Sequence, residues 1–318
     1  MENRMQTGRV NGTVYKRSIL RQLHIDQSNQ QIQNLAVSSQ TLAGMTESEI
    51  LLAMASAANH LAARGATLNG SVLSFLFSES VEESEIKSYM QQVDQLSQVL
   101  ALPILSVHSE ITGAVNRSLL TVTAVGDRKN DSFEGIAGAK PNQDIVLSKW
   151  IGMGGTAVLA TDYHKELEER FSPAFLLKAR AFRDDMSIAI EAATAGKSGV
   201  SAMHDLSEGG IFGALWEMAE ASGVGLCINL KAIPVKQETI EICNHFDISP
   251  YGLLGIGSLL MVVENGYHLV RELSEQGITS AVIGRTTEGN DRVVVNEEEK
   301  RFLDLPRMDE LYRLTQNA

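Results

Sequence analysis

The chain has 318 residues, enough for two domains of ordinary size. Its 44% hydrophobic and 21% charged content is that of a globular protein with a sizeable core. The net charge of −12 argues against a nucleic acid or an anionic membrane surface as a partner. No apolar run approaches the roughly 20 residues that a membrane-spanning helix needs. Residues 1–10 are polar, without the apolar stretch of a secretory signal, so the expected location is the cytoplasm.

In chain order, residues 11–26 form a basic opening with Lys16, Arg17 and Arg21, and residues 27–34 are a Gln/Asn-rich loop. Thr46 and Glu49 have the spacing of a capping box. Behind them Ile50, Leu51, Met54, Ala57, Ala58 and Leu61 recur at helical period up to a stop at Gly65. A strand is predicted at 71–77, a helix at 81–100, and strands at 103–107 and 119–125. The Gly-, Asp- and Asn-rich residues 126–142 are the predicted boundary, dividing the chain into domains 1–142 and 143–318. The second half opens with a strand at 144–147 and a glycine cluster, Gly152, Gly154 and Gly155. A helical region at 173–195 and a strand at 199–203 follow. A helix to about 222 comes next, then strands at 224–230, 258–263, 281–283 and 292–295, with helices at 238–246 and 267–276. Cys227 and Cys243 lack metal-ligand or redox spacing and read as reduced structural residues.

The most informative segment is His204-Asp205-Leu206-Ser207-Glu208-Gly209-Gly210. A strand runs into a short acidic loop and then a helix. Free N–H groups at a helix start favour anions, and glycines let a ligand approach the backbone. Asp205 or Glu208 could then hold Mg²⁺ beside a phosphate. The competing reading is that Asp205 or Ser207 only caps the helix. Gly152 to Thr156 matches no P-loop or Rossmann pattern, so taken alone it reads equally as a turn.

The same run, extended by Gly213-Ala214-Leu215-Trp216-Glu217-Met218-Ala219, resembles the second-domain signature of the aminoimidazole ribonucleotide synthetase superfamily. It is similar in particular to the branch holding the hydrogenase maturation factor for nickel-iron enzymes, with Ser207 in place of the usual Thr. Asp144-Ile145-Val146 and the loop after it also resemble that family. In the first half, Ala58-Asn59-His60-Leu61-Ala62-Ala63-Arg64-Gly65-Ala66 resembles its N-D-L-A-x-x-G-A helix, with His60 where the family has Asp. His108-Ser109-Glu110-Ile111-Thr112 is similar to its G-G-H-T-E element, without the paired glycines. Gln40 stands where a strand normally ends in Asp.

The resemblance implies an α+β, two-domain fold. The N-terminal domain would contribute to an intersubunit β-barrel, and the C-terminal domain would be an α/β sandwich. It implies a homodimer, ATP and Mg²⁺ in a groove between domains, and activation of a carbonyl or amide oxygen by phosphorylation. Carried onto this chain, the cofactor-binding set is Lys16, Arg17, Asn59, Glu110, Asp144, Gly152, Gly154, Gly155, Asp205, Ser207, Glu208, Gly209 and Gly210. Mg²⁺ prefers carboxylates, so Gln40 and His60 put its binding in doubt. The family's C-terminal Cys has no counterpart in Leu314 to Ala318, so its thiol chemistry is not expected. Three readings follow: an ATP-dependent enzyme on a small-molecule or protein substrate; an inactive paralogue serving as a dimeric scaffold or ligand-binding protein; or a module binding a transition metal or a small anion through His60 and His108.

Overall fold

The computed structural model describes residues 34–128, 133, 135–304 and 308–316. Lys16, Arg17 and most of the Gln/Asn-rich stretch lie outside these residues.

The first half builds a four-stranded sheet from β1 (Leu35–Ala43), β2 (Ala66–Phe77), β3 (Ile104–Ile111) and β4 (Leu119–Arg128), in the order β1-β4-β2-β3. Leu73, Phe75 and Phe77 alternate along β2 and point to the face covered by helices α1 (Glu47–Ala63) and α2 (Glu83–Val99). The capping box forms: the Thr46 N–H donates to Glu49 at 2.9 Å and the Glu49 N–H to the Thr46 hydroxyl at 3.3 Å. Helix α1 buries 13 of its 17 residues, so it is covered on nearly every side rather than along one stripe. Its alanines allow that. One side lies on the four-stranded sheet, and Ala62 and Ala63 near its end reach a cluster in the second half.

The second half builds a seven-stranded sheet, order β11-β10-β7-β9-β5-β8-β6. Its strands are β5 (Asp144–Ser148), β6 (Ala202–Asp205), β7 (Gly225–Asn229), β8 (Leu259–Val263), β9 (Ser280–Thr287), β10 (Arg292–Asn296) and β11 (Glu299–Phe302). The intervening helices are α3 (Met153–Asp162), α4 (His164–Leu167), α5 (Pro173–Arg180), α6 (Ala189–Lys197), α7 (Gly210–Ser222), α8 (Gln237–His245) and α9 (Gly266–Glu275); α10 (Glu310–Gln316) follows the sheet. Ile145, Leu147, Leu226, Ile228 and Leu260 face α7. Val146, Met203 and Met261 face the side of α6 and α9. The two sheets lie on either side of residue 142, but the apolar interior does not stop there. One continuous cluster runs from α1 and β2 to Val158, Leu176, Ile242, Leu253 and Leu311.

Two expectations change. The helical region at 173–195 is broken into α5, a 3₁₀ turn (Ala181–Asp185) and α6. Two side chains hold the break open. Asn59 donates to the Met186 carbonyl at 2.7 Å and accepts from the Ile188 N–H at 3.2 Å. Lys149 Nζ donates to the carbonyls of Asp185 at 2.9 Å and Ser187 at 2.7 Å, and pairs with Glu191 at 2.8 Å. The strand expected at 199–203 runs instead from Ala202 to Asp205, which puts His204 and Asp205 on the sheet.

Candidate functional site

The junction between β6 and α7 lies beside the end of α1. β6 is an edge strand paired with β8, and its last two residues, His204 and Asp205, are buried. His60, from the last turn of α1, places Nδ1 3.2 Å from Asp205 Oδ1, and His204 Nδ1 lies 3.7 Å from the same oxygen. The other nitrogen of His204, Nε2, is 3.0 Å from Glu217 on α7. A chain of alternating imidazoles and carboxylates, His60–Asp205–His204–Glu217, therefore ties α1 to the second sheet and its covering helix. Burial by itself would raise the Asp205 pKa; contacts with His204 and His60 outweigh it and hold the carboxyl well below its usual range. Burial by itself would lower His204; Asp205 and Glu217 outweigh it and bring the imidazole up to about 9. His204 is thus a cation at neutral pH.

The helix start is occupied too. Gly209 and Gly210 adopt φ of 82° and 59°, a left-handed turn in which a Cβ on Gly210 would meet the carbonyls of Tyr251 and Leu253 at 2.6 Å. The Gly209 N–H donates to Asp309 Oδ2 at 2.7 Å, and Glu208 accepts from the Tyr312 hydroxyl at 3.1 Å. The Ser207 carbonyl accepts from the N–H groups of Gly210 and Gly255, each at 3.2 Å. The expected backbone donors and acids are present, but segments 250–255 and 309–312 of the same chain engage them.

The remaining candidates are not gathered at this junction. Asp144 pairs with Val263 and Asp205 with Leu259, so they flank β8 on opposite sides and at opposite ends, offset by about 13 Å along the strand at ~3.3 Å per residue. Asp144 accepts from Arg285 Nε and the Gly266 N–H, both at 2.9 Å, and so caps α9. Gly152, Gly154 and Gly155 begin α3, a helix that the sequence reading took for a loop. They are packing glycines: a Cβ on Gly155 would lie 2.4 Å from Leu253, one on Gly154 3.1 Å from Ile256, and one on Gly152 2.9 Å from Thr239. Asn59 is spent on the 186–188 backbone. His108 and Glu110 stand beside Ser74 and Leu76 on the face of the four-stranded sheet away from α1, so His60 and His108 do not meet. Among the described residues no group of three or more His, Cys, Asp or Glu is placed to hold a metal. At the β6–α7 junction the acids and backbone donors expected to meet a magnesium nucleotide are engaged within the chain.

Reading the sequence missed His204, Glu217 and Asp309. The adjacent His204-Asp205 pair was a usable signal for the first. Asp309 lies 100 residues from Gly209 and carries none.

Residues 140–296 match the family described as AIR synthase related protein, C-terminal domain. Residues 140–296 thus place the second half of the chain in the aminoimidazole ribonucleotide synthetase superfamily. Its similarities fall on that superfamily's hydrogenase-maturation branch. A candidate hydrogenase expression/formation protein of Methanocaldococcus jannaschii is 23% identical over 83% of this chain and 78% of its own length. The carbamoyl dehydratase HypE of Escherichia coli is 22% identical over 91% and 89%. The chain spans 56% of the corresponding Cupriavidus necator protein. The crystal structure of E. coli HypE superposes with a TM-score of 0.74 at 20% identity, covering 91% of this chain and 92% of that one. A HypE solved in complex with ATP gives 0.71 at 15% identity, with 87% of each chain covered. These superpositions establish the shared α+β fold.

Proposed function

We propose that this protein is a hydrogenase-maturation-type paralogue that keeps the two-domain frame of its superfamily, dividing near residue 142. In this reading it acts as a scaffold or ligand-binding protein and does not turn over Mg-ATP. The observation that carries the reading is the state of Asp205. Its carboxylate lies between two imidazoles, His60 at 3.2 Å and His204 at 3.7 Å. Where a cation would neutralise an acid, this chain supplies its own positive charge. Phosphoryl transfer depends on cations to offset the triphosphate charge. A junction whose buried acid is already paired within the chain offers such a cation little attraction.

The frame itself supports a second copy of the chain as partner. Among the described residues, the four-stranded sheet has one face without covering helices. That face carries Leu35, Val37 and Val72, which are 45%, 44% and 39% exposed, beside a ladder of Ser39 to Thr123 and Thr41 to Thr121 hydrogen bonds at 3.0 and 2.8 Å. A face of this kind is suited to closing a shared barrel against its own copy. No helix among the described residues is long and apolar enough to cross a membrane. Cytoplasmic residence is part of the same proposal.

Titration calorimetry tests the central claim. Mg-ATP or Mg-ADP at about 1 mM, where binding corresponds to roughly 4 kcal/mol, is expected to give no saturable heat. Micromolar binding, or ATP hydrolysis that disappears in Asp205→Ala, would overturn the reading in favour of an ATP-dependent enzyme.

A further inference from the structure

The last described segment of the chain, residues 308–316, makes contacts that its length does not require. Asp309 is 3% exposed and accepts from three backbone N–H groups: Gly209 at 2.7 Å, Leu254 at 3.2 Å and Leu311 at 2.9 Å. Only the third lies on its own helix, where Asp309 serves as the cap of α10. The other two come from the start of α7 and from the 250–255 loop. Around it the Tyr312 hydroxyl donates to Glu208, the Glu310 N–H donates to the Gly252 carbonyl at 3.2 Å, and Arg313 donates to the Asp247 carbonyl. Leu311 enters the large apolar cluster beside Leu253, Ile242 and Cys243.

We propose that the segment 308–316 is a detachable latch, which Asp309 fastens over the β6–α7 junction and whose release uncovers that junction. Three features support detachment rather than permanent closure. Helix α10 has seven residues, too few to persist alone, so its structure depends on docking. Apart from Leu311 in the large apolar cluster and Leu314 packed against it, its attachment is through hydrogen bonds, which are individually modest in net worth. The Asp309 charge is also held at a cost. Burial pushes the carboxyl up to about 7 against the pull of the Leu311 and Gly209 N–H groups, and the neighbouring Glu208 adds to the rise. What the latch covers is the start of α7, with Glu208 and the Gly209 N–H directly beneath it. This inference is independent of whether the junction binds a nucleotide.

The chain contains its own reporter. Cys227 is exposed and Cys243 is buried. Burial, together with the Glu310 carboxylate, raises the Cys243 thiol to about 12, so it is unreactive while α10 is docked. The test is iodoacetamide labelling of the full-length, reduced protein, followed by intact mass. In the wild type one thiol is expected to react quickly and the second slowly. Asp309→Ala removes the acceptor of two inter-segment hydrogen bonds and is expected to speed the second thiol roughly tenfold, with the melting transition retained. Tyr312→Phe removes one contact without emptying the nest and is expected to speed it about threefold. An unchanged second-thiol rate in both variants would refute the latch. So would a cooperative loss of the whole fold in both, because the segment would then be part of the core.

Discussion

Among individual residues, His204 sets the clearest test, because its two carboxylate neighbours make its charge part of the fold. Its folded pKa of about 9 lies above the ordinary value of 6.5. The stability it contributes is therefore complete below about pH 6.5 and lost as pH rises through 9. Asp205 acts in the opposite sense: its pKa is depressed, so its contribution is present above about pH 4 and lost only at lower pH. Thermal melting followed from pH 6 to 9.5 should show a falling midpoint in the wild type and a flatter alkaline limb in His204→Gln. Removing the central acid should be more severe. Asp205→Ala leaves His60 and a buried cationic His204 without their shared partner, at a cost of about 3–5 kcal/mol in chemical denaturation. A loss below about 1 kcal/mol would show that the chain of charges does not hold the junction.

Among the elements, α3 shows how a glycine cluster can be mistaken. Three glycines in four residues read as a loop, yet they begin a helix whose first turn presses against Leu253 and Ile256. The residues are small because neighbouring elements come close. Gly155→Ala puts a methyl 2.4 Å from Leu253 in a fully buried position, so it should cost about 1–3 kcal/mol despite the better helix propensity of Ala. Stabilisation by this substitution in a urea titration would favour an open loop at this position. Helix α1 makes the complementary point. Its cap and apolar period are written locally, and both formed. That it is enclosed on nearly all sides, and ends at Asp205, depends on segments more than 100 residues away.

For the whole molecule, the question is which surface remains to be covered. Placing a charge at the centre of the open sheet face, as in Val37→Lys with Val72→Glu, should convert a dimer of twice the 34.6 kDa chain mass into a monomer by light scattering, with little change in circular dichroism. A wild-type monomer at micromolar concentration would dismiss the shared barrel outright.

Much of this architecture could be read from the chain before any coordinates. Strand alternation, helical period, the Thr46 cap and the run from Ser201 to Gly210 rest on interactions between near neighbours, which sequence order states directly. They were enough to place many of the elements and to carry the family resemblance. The tertiary structure alone decided the state of the candidate site: that Asp205 is shared by two imidazoles, that Asp144 lies at the far end of β8, and that Asp309 sits on the Gly209 N–H. The physical reason is that a carboxylate's role depends on whichever donor or cation folding brings within about 3 Å. Those partners come from distant segments that no local pattern connects.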